Sequence, residues 1–173
     1  MKKFVKKVCA VLMAAISIFS LSLVCSCGGG GGNKSGTENG SSAGNENVIA
    51  FYEKVSQSQQ YLDGLADDIY SYWYDAVYKD KYNGNIDLAI AFAFDNNSEN
   101  VSKINENEKD IQSLYKEVRN SELSTEVKAV MSAYSDYYEL VVNVSGSFKS
   151  YSENLEKYKK ALASALKKLA LEI

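Results

Sequence analysis

Apolar residues recur every three or four positions along three stretches of the chain. Val48, Phe51, Val55, Ser58, Leu62, Leu65, Ile69, Tyr72 and Ala76 form the first seam, with one polar member. Such spacing lines one face of an α-helix. The seam stops at Lys81-Tyr82-Asn83-Gly84-Asn85, where Asn83-Gly84 is expected to end the helix. A second seam runs Ile90, Phe94, Asn97, Val101, Ile104, Glu108, Ile111, Tyr115 and Val118. It ends near Arg119 to Thr125, where Ser121 or Ser124 can cap the next helix.

The third seam is the most regular: Val127, Val130, Tyr134, Tyr137, Val141, Val144, Phe148, Tyr151, Leu155, Tyr158, Leu162, Ala165 and Leu169. It crosses Ser145-Gly146-Ser147 without losing phase, which favours one long helix kinked at Gly146 over two. Length argues the other way. At 1.5 Å per residue, helices of about 32 and 34 residues leave part of a partner of about 48 uncovered. The alternative is a chain that folds back at Gly146 into a fourth helix. From Val48 on there is no proline and glycine occurs only at 64, 84 and 146. The expected class is therefore all-α: an antiparallel bundle of three long helices over 48–173, the third kinked or split near Gly146, with short loops.

Residues 1–47 are of another kind. Four lysines precede Cys9, and Cys9 to Val24 carry no charge, which is the layout of a secretory signal. A spanning helix needs about 20 apolar residues, and this run is shorter. Cys27 has the small Ser26 before it and the aliphatic Val24 three before it, so Val24-Cys25-Ser26-Cys27 resembles the lipobox of bacterial lipoproteins, substrates of the type II signal peptidase. Cys25, behind bulky Val24, fits that pattern poorly. The resemblance implies a signal peptide over 1–26, lipidation of Cys27, and a lipid bilayer as partner. It departs from the commonest lipobox in having Cys second and Val first. After Cys27 there is no cysteine, so no disulfide could staple an exported domain. Two acyl chains at ~0.8 kcal/mol per buried methylene would hold it as a stable anchor.

Eight of the eleven glycines fall in residues 28–47, which hold nothing apolar larger than alanine. This stretch reads as a linker that buries no core, about 25 Å end to end on average if a random coil. Beyond it, the tyrosine-rich DIYSYWYDAVYKDKYN and the later SGSFKSYS resemble uncharacterised helical-bundle lipoproteins of Gram-positive bacteria, a resemblance that bears on fold and location and implies no activity.

Charge and residue types narrow the chemistry. Removing 1–26 takes away four lysines and leaves 15 basic against 22 acidic residues, a net charge of −7. Nucleic acid is then a poor partner. The chain has no histidine, and the domain has no thiol, so the commonest general base, metal ligand and Cys-His routes are missing. Di-iron bundles need Glu-x-x-His pairs and are excluded. Two Ser-x-x-Lys matches, Ser113 with Lys116 and Ser164 with Lys167, lack the partner motifs of the serine enzymes that use them and read as solvated faces. Asp95, Asn97, Glu99 and Glu106 stand at positions 1, 3, 5 and 12 of a calcium-loop alignment, but position 6 is Asn100 where a glycine is needed. The expectation is no enzyme, no metal and no cofactor.

Tyrosine is the informative residue, thirteen in all. Tyr134, Tyr137, Tyr151 and Tyr158 lie in the third seam and read as core, with the hydroxyl reaching out. Tyr70, Tyr74 and Tyr78, spaced by four, face away from the first seam. They are the candidate ligand-binding surface unless a fourth helix covers them. Lys157, Lys159, Lys160, Lys167 and Lys168 read as the wet face of the last helix. Together these features point to a membrane-anchored lipoprotein whose domain faces outside the cytoplasm and serves as a protein-interaction or structural module of the cell envelope, its partner an envelope protein or glycan, with a small-ligand or glycan-binding lipoprotein as the alternative.

Overall fold

The structure is a computed structural model that describes the backbone of residues 40–173 and the side chains from residue 45 on. Five α-helices and no strand occur among the described residues: α1 Gly40–Tyr78, α2 Ile86–Asn96, α3 Ser98–Val118, α4 Ser124–Val142 and α5 Phe148–Leu169. None of these helices is long and apolar enough to cross a membrane. The expected signal peptide over 1–26 and the expected lipidation at Cys27 fall on residues outside the described ones. The all-α class expected from the seams is present, but three long helices are not, because the second and third seams are each broken in two.

α1 begins at Gly40, inside the stretch read as linker, yet Asn45, Glu46 and Asn47 are exposed and Val48 is the first described residue to be buried. The core thus starts where the first seam starts. α1 ends as expected before a turn at Lys81–Gly84, in which Tyr82, Asn83 and Gly84 have positive φ, as does Asp80 just before it. Tyr82 takes that unfavourable conformation with its ring against Tyr72 and Phe92, centroids 5.8 and 5.6 Å away. Asn85 then caps α2 by accepting from the Leu88 N–H at 3.0 Å, satisfying one of the free donors of a helix start.

The break in the second seam is at Asn97 (φ −108°). Its Nδ2 donates to the Ala93 carbonyl at 3.0 Å and to Asp68 of α1 at 2.6 Å, and its Oδ1 accepts from Asn100 Nδ2 at 3.0 Å. A side chain that bonds its own backbone competes with the helical ladder, and here it divides α2 from α3. Asn97 nevertheless stays buried, so the apolar rhythm passes the break unmarked.

The third seam folds back at Gly146, which corrects the expectation of one kinked helix. Gly146 has φ +85°, and a Cβ there would stand 3.0 Å from Ser150 Oγ, so both the backbone and the space call for glycine. Ser147 and Ser150 form a reciprocal capping box: Ser147 Oγ accepts from the Ser150 N–H, and Ser150 Oγ from the Ser147 N–H. That starts α5 afresh. The rhythm survives the turn because Val144 in the loop and Phe148 at its end both pack on the core. The expected serine cap of α4 is not made; its N-cap position is Leu123, and no side chain caps it.

Inter-helix contacts give the directions. Phe51 meets Tyr115, Lys54 pairs with Asp110 at 3.1 Å, and Asp68 meets Asn97, so α2 and α3 run opposite to α1. Ser58 meets Tyr134 and Asp63 meets Tyr137, so α4 runs with α1. Asp63 meets Lys159 and Trp73 meets Tyr151, so α5 runs against it. α1 is thereby flanked on several sides, and its buried face is wider than one seam: Ala66 and Trp73 are buried beside Leu65, Ile69 and Ala76. Ala89 and Ala93 of α2 and Leu166 of α5 complete the interior.

Candidate functional site

The three tyrosines picked out by spacing form a row along α1. Tyr70 and Tyr74 lie nearly parallel at 6.4 Å between ring centroids, and Tyr74 and Tyr78 follow at 4.8 Å. They are 39, 38 and 62% exposed. The fold-back that was expected to decide their fate reaches them with one residue. Phe148, the first of α5, lies 5.1 Å from Tyr70, 6.0 Å from Tyr74 and 5.8 Å from Tyr78, and 5.9 Å from buried Trp73. One edge of the row therefore rests on Phe148 while the other faces solvent.

The same helical face carries two carboxylates that the tyrosine spacing alone did not bring in. Positions 63, 67, 70, 74 and 78 share one stripe by their steps of three and four. Asp63 accepts from the Tyr137 hydroxyl at 2.7 Å, and Lys159 of α5 lies 3.3 Å from Asp63 and 3.7 Å from Asp67. Burial and the Asp63 carboxylate push the Tyr137 phenol up, in that order of weight, so it stays a donor. At the other end, Lys79 stands 5.3 Å over the Tyr74 ring and joins Lys81 on Asp75, at 2.8 and 2.7 Å. Hydrogen bonds from the two ammonium groups hold the Asp75 carboxyl below its ordinary range. The stripe thus offers rigid aromatic rings with polar tips, between charges already paired. Such rings are what interfaces and sugar sites use, giving contact area at low entropic cost.

A second exposed apolar group lies on α2, where Ile86, Leu88 and Phe92 are 37, 38 and 41% exposed. Two depressions of the described surface lie away from the tyrosine row. One lies by Ala50, Lys54 and Leu114, the other by Asp136, Asn143, Asn154 and Tyr158, and both are shallow and open. Neither depression is lined by Tyr70, Tyr74 or Tyr78.

The other sequence candidates are dispersed. Ser113, Lys116, Ser164 and Lys167 are all exposed. α3 is helical from Ser98 through Glu106, so the calcium-loop alignment falls on a helix whose Asn97 is already bonded to Asp68 and Ala93. No group of three or more metal-binding side chains gathers among the described residues. Tyr134, Tyr137 and Tyr151 are buried as expected and Tyr158 half-buried, but two of the hydroxyls do not reach out: Tyr134 meets Ser58 at 3.0 Å, and the Tyr151 hydroxyl is buried without a partner.

Replacing Tyr70, Tyr74 and Tyr78 together by serine should cost about 2 to 3 kcal/mol, in proportion to the ring area each now shelters. Denaturant unfolding reads this. A loss below about 1 kcal/mol would mean that Phe148 does not rest on them, and a loss above about 6 would mean that they belong to the core. No protein family, curated protein or solved structure matches the chain.

Proposed function

We propose that the protein is a lipid-anchored lipoprotein whose helical domain lies outside the cytoplasm as an up-down-up-down bundle and serves as an interaction module of the cell envelope. The observation that carries the reading is Val24-Cys25-Ser26-Cys27, placed behind four lysines and an uncharged run. Its layout suits lipidation of Cys27, and two acyl chains on that cysteine would anchor the chain in the bilayer. The described helices are compatible with this, since none has the length and apolarity to cross a membrane. We assign no catalysis to the domain, because its residue types offer no general base of the usual kind.

The tyrosine row at Tyr70, Tyr74 and Tyr78 is the contact surface in this reading. Its three partly exposed, closely spaced rings favour a protein partner, because exposed tyrosines give rigid contact area at low entropic cost. A glycan, laid along the rings, is the second reading, favoured by the polar groups that flank them at Asp67 and Lys159.

Anchoring is tested by metabolic labelling with a fatty-acid analogue. Cys27→Ala is expected to abolish label and membrane retention, and Cys25→Ala to leave both largely intact. Label that persists in the Cys27 variant would refute the anchor assignment.

A further inference from the structure

Tyr74 and Tyr78 form the closest aromatic pair among the described residues, with ring centroids 4.8 Å apart and planes inclined at 40°. The other tyrosine pairs are wider: 5.8 Å for Tyr72 and Tyr82, 6.0 Å for Tyr134 and Tyr138, 6.4 Å for Tyr70 and Tyr74. One helical turn keeps the pair together, since residues four apart are neighbours on a helix face. Tyr78 is 62% exposed and Tyr74 38%, so both rings meet solvent and have room to turn. In the rival pairs Tyr134 is fully buried, and Tyr72, Tyr82 and Tyr138 are half-buried.

Two exposed phenols so close together gain weight from what the domain lacks. Cysteine and methionine are the side chains that commonly take up oxidising equivalents. After Cys27 there is no cysteine, and Met131 is the one methionine beyond that point. It is half-buried on α4. Trp73, the other easily oxidised ring, is 3% exposed and packed behind Phe148. Of the thirteen tyrosines, Tyr70, Tyr74 and Tyr78 are the exposed ones. The groups of the domain that an oxidant in solution meets first are therefore the phenols of this row.

We propose that Tyr74 and Tyr78 are an oxidative coupling site, at which a one-electron oxidant of the haem-peroxidase class, working with hydrogen peroxide, joins the two rings into a dityrosine. Each phenol gives one electron to the oxidant and its O–H proton to water. The two phenoxyl radicals pair between ring carbons ortho to oxygen, and the hydrogens on those carbons move to the oxygens and restore both aromatic rings. Two electrons and two protons leave the protein in all, and one hydrogen peroxide becomes two waters. One carbon–carbon bond forms and no heavy atom departs. The tilted rings have to swing until their edges meet, which their exposure permits. The bond then fixes the outer half of the row in one orientation. The site stands whether or not the row binds a partner.

The full chain, treated with a haem peroxidase and hydrogen peroxide, is expected to gain dityrosine fluorescence without a band at twice the chain mass on a denaturing gel. The tryptic fragment 55–79, bounded by Lys54 and Lys79, should lose the mass of two hydrogen atoms and give no backbone fragments between Tyr74 and Tyr78. Tyr78→Phe keeps the ring and should lose most of the emission. Tyr61→Phe, a change on the same fragment, should leave it unaltered. A link that joins other tyrosines overturns the proposal, as does one made mainly between copies of the chain. So does emission that survives Tyr78→Phe, or a chain that stays dark under conditions that couple free tyrosine.

Discussion

Tyr134→Ala is expected to remove about 3 to 5 kcal/mol from the stability of the domain, the usual cost of truncating a large buried aromatic. The ring has no exposed surface and touches Tyr138, centroids 6.0 Å apart. Its hydroxyl is bonded to Ser58 on α1, 76 residues away. The total stability of a domain of this size is on the order of 6 to 19 kcal/mol, so a large share would go with one side chain. Tyr134→Phe separates the two parts of the loss. It keeps the ring and leaves Ser58 without its partner, at about 1 to 3 kcal/mol. Urea unfolding of both variants measures this, and an alanine variant within about 1 kcal/mol of the parent would show that the ring is not core.

Trp73→Ala is expected to be of similar size, about 3 to 5 kcal/mol, and to act at a different junction. Trp73 is 3% exposed and lies edge-on to Phe148 and 5.4 Å from Tyr151, so it holds the start of α5 onto α1. Its indole N–H is buried without a partner. That N–H contributes nothing to hold, so Trp73→Phe should lose less than the alanine variant, of the order of 1.5 kcal/mol if the ring space is refilled. Equal losses in the two variants would mean that the indole nitrogen has a role the packing does not account for. Thermal melts followed by circular dichroism compare them.

The apolar rhythm made the helical class legible because burial along a helix repeats every three or four residues, and every residue of the three seams is at least half-buried in the fold. It could not mark the two breaks, since Asn97 stays in phase while bonding its own backbone, and Val144 and Phe148 stay in phase across a turn. Trp73 and Ala66 escaped for another reason. A single seam describes a helix with one neighbour, whereas α1 has neighbours on several sides, and its buried arc is broader. Tyr70, Tyr74 and Tyr78 were readable as an outward row. That Phe148 supports them was not, because it depends on a chain reversal at Gly146 and on the direction of α5. Glu108 was visible as a charged residue in an apolar seam, but that one of its carboxyl oxygens is buried without a hydrogen-bond partner follows only from the packing around it.

Trp73 is the only tryptophan in the chain, and it lies directly behind the ring that supports the tyrosine row. Indole emission follows the polarity and motion of its surroundings. Anything that settles on Tyr70, Tyr74 or Tyr78 and shifts Phe148 would alter that emission without any label being added. The molecule thus carries its own optical gauge of occupancy, placed one ring deep beneath the surface where contact would be made.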